Sequence, residues 1–90
     1  MSKIVKRTKP KRFAPRSANA LDRYIGARMR EQRLAIHMSQ AQLGSELGVT
    51  FQQIQKYETG KNRVSAARLF MICKALEVSL SSMFERDPTK

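Results

Sequence analysis

One glycine constrains this chain more than any other feature. Gly48 lies between two short stretches that each open on a hydroxyl residue. Ser39 followed by Gln42 has the form of a capping box, in which each side chain accepts from the backbone N–H of the other residue at a helix start. Thr50 is a favourable N-cap for the stretch after the glycine. Leu43 and Leu47 fall on one helical face of the first stretch, and Ile54 and Tyr57 on one face of the second. Gly48 accepts the positive φ that a tight turn requires, and Val49 behind it plugs the gap between the helices. Gly44 and Ser45 are small enough to let the two helices approach closely. The spacing predicts helices over about 39–47 and 50–58, packed at a steep angle, with the second projecting from the surface.

The flanks supply the rest of a small all-α unit. Leu21, Ile25, Met29 and Ala35/Ile36 recur at helical spacing and predict a first helix over about 21–35. Asp22 would sit in its first turn, where the helix dipole favours an acid. The helix should stop near His37, a residue that tolerates the left-handed conformation better than most. The single histidine is therefore read as a helix terminus rather than a ligand or a base. Thr59-Gly60-Lys61-Asn62-Arg63 is turn-like and basic. Ser65 caps a helix over about 65–76, in which Leu69, Ile72, Cys73 and Leu76 form one stripe. Cys73 on that stripe is a small buried hydrophobe rather than a reactive thiol. Ser79 opens a last short helix over about 79–84, and Asp87 and Pro88 close the fold. The predicted class is all-α, a compact five-helix bundle. Its core gathers Ile25, Met29, Met38, Leu43, Leu47, Val49, Ile54, Tyr57, Leu69, Ile72, Leu76 and Phe84. The expected organisation is a flexible basic N-terminal arm over 1–20, one domain over 21–86 and a short tail over 87–90.

Charge narrows the function. The 90-residue chain carries a formal net charge of +11. Residues 1–20 hold seven basic side chains and no acid, while residues 21–90 hold eleven basic and seven acidic ones. A basic arm on a mildly basic domain points to a polyanionic partner, nucleic acid ahead of an anionic membrane surface. The only cysteine excludes an internal disulfide and any multi-cysteine zinc site, and suits a reducing compartment. No apolar run approaches the ~20 residues that span a bilayer, and the N-terminus lacks the apolar stretch of a secretory signal. A transit peptide is a minor alternative for the arm. One histidine, one cysteine and seven scattered acids make no acid/base or metal constellation, so neither an enzyme nor a cofactor is expected.

The outward face of the helix after Gly48 is the informative surface. Phe51, Gln52, Gln55 and Lys56 alternate with the inward Ile54 and Tyr57, and no acid appears before Glu58. Glutamine can donate and accept together, as the N6/N7 edge of adenine demands. Lysine reaches guanine O6 and N7, and an apolar group can meet a thymine methyl. The bland alternative is a neutral, solvated face.

The stretch MSQAQLGSELGVTFQQIQKYETGKNR, Met38 to Arg63, resembles the Cro/C1-type, or XRE, helix-turn-helix family of phage repressors and bacterial regulators. The likeness covers about residues 21–84 and is specific in its order of Ser-Gln, Leu, Gly-Val-Thr, Ile, Tyr-Glu-x-Gly and Leu-Glu-Val-Ser. It implies a lambda-repressor-like DNA-binding domain and a double-stranded DNA partner. It further implies base contacts from Phe51, Gln52, Gln55 and Lys56. Phosphate contacts would come from Gln40, Thr50, Gln53, Lys61, Asn62 and Arg63. A buried ion pair between Arg33 and Glu58 would tie the first helix to the end of the third. Gly44 stands where the family usually has alanine, which should loosen the second helix by up to ~1 kcal/mol. One such domain reads few base pairs, so a homodimer on a pseudo-palindromic operator is expected. Leu80, Met83 and Phe84, with Phe70 and Met71, are its expected surface. The implied role is a cytoplasmic transcriptional regulator, a repressor by default, of bacterial or phage origin. Two other readings stand beside it. One is an antitoxin or co-regulator that acts mainly by binding another protein, and the other an RNA-binding protein or co-activator of the same fold.

Overall fold

The structure, a computed structural model, describes residues 15–85, with side chains from Ala20 onward. Five helical segments follow one another: α1 (Pro15–Ala35), α2 (Gln40–Leu47), α3 (Phe51–Glu58), α4 (Ala66–Leu76) and a 3-10 helix (Leu80–Phe84). The four α-helices and the 3-10 turn fit the all-α class, with no strand among the described residues.

Capping explains where most of these elements begin. The Ser39 hydroxyl accepts from the Gln42 N–H at 2.9 Å, and the Ser39 N–H donates to the Gln42 side chain at 2.7 Å, completing the box. Thr50, Ser65 and Ser79 cap their helices in the same hydroxyl-to-backbone manner. Three helices also end alike. His37, Gly48 and Glu77 all adopt positive φ. At each, the next residue's N–H reaches back to a carbonyl: Met38 to Arg33 at 3.1 Å, Val49 to Gly44 at 2.9 Å and Val78 to Cys73 at 3.0 Å. This paired closure satisfies carbonyls that a helix end otherwise leaves open.

The first helix departs from expectation. It starts at Pro15, six residues ahead of the predicted Leu21, so residues 15–20, assigned above to the arm, are helical. Proline suits a first helical turn, where its missing N–H costs nothing, and Ala18 and Ala20 favour helix without needing an apolar stripe. Asp22 consequently lies well inside the helix, not in its first turn. Residues 1–14 of the arm expected over 1–20, and the tail expected over 87–90, lie outside the described residues.

The core is built from Met29, Leu43, Leu47, Ile54, Tyr57, Leu69, Ile72, Cys73, Leu76 and Met83, with Ile25, Met38 and Val49 packed against it. Two expectations fail at the edges. Leu21 and Ile36, placed on the inner stripe of the first helix, are exposed. At the other end Met83 is fully buried and Phe84 is 49% exposed, the reverse of the predicted core. Three residues per turn in a 3-10 helix rotate adjacent side chains by about 120°, so Met83 and Phe84 cannot both face the core, and the docking of the segment on α1 and α4 turns Met83 inward.

Close backbone approach fixes how the helices cross. A Cβ at Gly26 of α1 would meet the Tyr57 and Glu58 carbonyl oxygens at 2.2 and 2.6 Å. A Cβ at Gly44 would meet the Val49 carbonyl oxygen at 2.6 Å. Gly44 thus has the close-approach role expected of it, set against its low helix propensity: it lets α2 fold back against the turn that leads into α3.

Candidate nucleic-acid interface

The third helix is short and two-faced. Ile54, Tyr57 and Glu58 point into the domain, while Phe51, Gln52, Gln55 and Lys56 are exposed. Thr50 caps the helix through its hydroxyl, which accepts from the Gln53 N–H at 3.2 Å, and Gln53 is half-buried beside it. An acid at the last position of a helix faces the negative end of its dipole. Glu58 occupies that position and is offset by a buried partner. Arg33 Nε donates to Glu58 Oε2 at 2.7 Å, and Arg33 Nη2 to Oε1 at 2.9 Å. The third guanidinium nitrogen, Nη1, donates to the Met38 carbonyl at 2.7 Å. The two side chains are only 6% and 2% exposed. This bonding to Glu58 raises the Arg33 pKa above its ordinary value, against the opposing effect of burial.

Gln40 joins this network. At the start of α2, its Nε2 donates to Glu58 Oε1 at 3.0 Å. That bond uses one of two amide hydrogens, which leaves the other for an outside acceptor. One carboxylate therefore gathers α1, the start of α2 and the end of α3. The consequence is electrostatic: the only acid of α3 is turned inward and neutralised, and the outer face of the helix carries no negative charge.

The loop after α3 folds against the same helix. The Asn62 N–H donates to the Lys56 carbonyl at 3.1 Å, and Gly60, at φ +80°, packs on the backbone of Arg23. Lys61 is exposed and lines a shallow depression with Gln52, Gln55, Lys56 and Thr59. The structure thus sets Lys61, predicted for phosphate, beside the residues predicted for bases. Asn62 is half-buried, and Arg63 is exposed and paired with Asp22. Thr59, on the rim of the depression, was not singled out in the sequence. Its hydroxyl donates back to the Gln55 and Lys56 carbonyls, a local bond that a Thr at a helix end commonly makes.

Other residues that hold the domain together around the site were also missed. Gly26 seats α1 on the end of α3, and a glycine in mid-helix, costly by ~1 kcal/mol, was the available signal. Arg28 is buried and bonds the Ser82 carbonyl through both Nε and Nη2. Arg68 donates to the Leu47 carbonyl at 3.2 Å and so links α4 to the end of α2. No group of three histidine, cysteine or acidic side chains is placed to hold a metal among the described residues. Burial raises the Cys73 thiol pKa, in keeping with its place in the core.

The pattern of the helix-turn-helix family matches residues 29–83, which runs from the middle of α1 into the 3-10 helix. The chain belongs to the Cro/C1-type helix-turn-helix family. Among its relatives in this family of transcriptional regulators is an uncharacterized HTH-type transcriptional regulator of Sinorhizobium fredii. The two are 58% identical over 71 residues, which is 79% of this chain and 50% of that protein. The cryptic phage CTXphi transcriptional repressor RstR of Vibrio cholerae is 36% identical over 69% of this chain and 55% of its own. The chain spans about half the length of these curated relatives. Among solved structures, the restriction-modification controller protein C.AhdI of Aeromonas hydrophila superimposes with a TM-score of 0.68 at 28% identity. The match covers 72% of this chain and 98% of that one. No helix among the described residues is long and apolar enough to cross a membrane.

Proposed function

We propose that this helix-turn-helix domain binds double-stranded DNA sequence-specifically and represses transcription, with α3 in the major groove. One observation carries the reading. The exposed face of α3 offers Phe51, Gln52, Gln55 and Lys56 with no carboxylate beside them, because Glu58 is buried against Arg33. Glutamine and lysine are the groups that match adenine and guanine edges. Around that face, Gln40, Thr50, Gln53, Lys61, Asn62 and Arg63 supply the phosphate contacts that set the register of the helix. The name of the phage relative, a transcriptional repressor, supports repression as the outcome. The protein would act in the cytoplasm of a bacterium, or of a phage's host.

The exposed Phe70, Met71, Leu80 and Phe84 remain the surface on which two copies would meet, and Met83, being buried, drops out of it. Two-fold pairing would put two α3 helices on half-sites about 34 Å apart. Selection of bound sites from random duplexes tests the whole reading. A recovered motif with two-fold symmetry is the expected result, and recovery of no motif would refute sequence-specific binding. Substituting Gln52→Ala or Gln55→Ala should relax preference at one or two positions by about 1–3 kcal/mol per lost contact. An unchanged motif would move the reading face elsewhere.

A further inference from the structure

Asp22 is a carboxylate where a DNA-binding surface has least use for one. It lies inside α1, away from the helix start, so the dipole gives it no role. Its side chain is 11% exposed and its partner is Arg63 in the basic loop after α3. Arg63 Nε donates to both Asp22 oxygens, each at 3.2 Å. The loop is held to the same stretch of α1 a second time. A Cβ at Gly60 would meet Arg23 Cγ at 2.5 Å and Cα at 2.7 Å.

The manner of pairing separates two roles. A carboxylate that silenced an arginine would take two of its nitrogens, as Glu58 takes Nε and Nη2 of Arg33. Asp22 takes Nε alone. Among the described residues, Nη1 and Nη2 of Arg63 donate to nothing, and the side chain is 64% exposed. The guanidinium plane is held at its inner edge, and its outer fork is left facing solvent. That fork is the part of arginine that fits a phosphate oxygen pair. Holding it in place removes rotamer freedom that would otherwise be lost on binding.

We propose that Asp22 is a positioning residue for DNA backbone recognition, holding Arg63 by Nε so that Nη1 and Nη2 are presented to a phosphate. The proposal rests on the DNA-binding reading above, and it predicts a sign opposite to simple Coulomb attraction. Removing a negative charge near DNA should tighten binding if charge alone counts. If Asp22 positions Arg63, the same removal weakens it.

The test is a titration of fluorescent duplexes, one selected on the wild-type chain and one of unrelated sequence, at several salt concentrations. Asp22→Asn should weaken binding to both duplexes by roughly three- to tenfold, the factor for ordering one rotamer-rich side chain. Discrimination between them should stay unchanged, since phosphate contacts carry no sequence information. Arg63→Ala should lower the salt slope by about one ion, and adding Asp22→Asn to it should cost nothing more. Arg63→Lys, which keeps the charge without the fork, should lose as much as Arg63→Ala. A folded Asp22→Asn chain that binds as tightly as wild type, or tighter, overturns the proposal and leaves the DNA-binding reading intact. Full affinity in Arg63→Lys overturns it whether or not Asp22→Asn folds. A wild-type chain that retains no duplex overturns the DNA-binding reading itself.

Discussion

Two arginines of α1 are buried, and they hold opposite ends of the domain by different means. Arg33 faces the helix-turn-helix and is matched to Glu58, a carboxylate as buried as itself. Arg28 faces the C-terminal 3-10 helix and is matched mainly to a backbone carbonyl, that of Ser82. Its carboxylate neighbours, Glu31 at 2.6 Å and Glu85 at 3.8 Å, stand 51% and 67% exposed. The difference teaches how each end fails. A buried charge with one buried counter-charge is left uncompensated when that carboxylate goes, even though the Met38 carbonyl still accepts from Arg33 Nη1. A buried charge shared among a carbonyl and wet carboxylates can lose either acid and still be solvated.

The comparison can be broken, and the largest effect comes first. Glu58→Ala should cost about 3–5 kcal/mol, because Arg33 is stranded. That is a large part of the ~5–15 kcal/mol that holds a typical domain together. Chemical denaturation reads it directly, and a cost below that of an ordinary surface change would mean that Arg33 finds water. Gly26→Ala acts at the same end without touching charge. Its methyl would press on two carbonyls, and a loss of about 1–3 kcal/mol is expected. The other end offers a gain. Glu77 closes α4 at φ 60°, a conformation that penalises a Cβ. Glu77→Gly should raise stability by about 1 kcal/mol, seen as a higher melting temperature. Glu31→Ala and Glu85→Ala should each cost less than about 0.5 kcal/mol, as exposed partners do. If either cost as much as Glu58→Ala, the two arginines would be held in the same way after all.

Local chemistry was legible in the sequence, and distant partnership largely was not. The capping box at Ser39 and the left-handed turns at His37 and Gly48 depend on neighbours in the chain, and the structure has each of them. The inward face of α3 follows from its period alone, and so does the burial of Cys73. The start of α1 was hidden because residues 15–20 lack an apolar stripe to announce it, and Ser17 and Asn19 among them are indifferent helix formers. Met83 rather than Phe84 faces the core because of how the last segment docks on α1 and α4, which local spacing does not reveal. Arg28 and Asp22 look like ordinary surface charges in the sequence. Their partners, Ser82 and Arg63, lie 54 and 41 positions away, a distance at which spacing carries no signal. Arg33 and Glu58 were placed as a pair through family resemblance, and the structure brings them together. The base and phosphate roles of the exposed residues rest on chemistry and resemblance, and await the experiments above.

The contact at Gly26 has a mechanical consequence. With only a hydrogen between the α1 backbone and the last carbonyls of α3, the joint has almost no compliance. The first helix, 21 residues and about 30 Å long, is in effect a lever fastened to the end of the third. A Cβ-free contact this close leaves no room for the two backbones to approach further, so Gly26 sets the height at which the first helix rests on the end of the third.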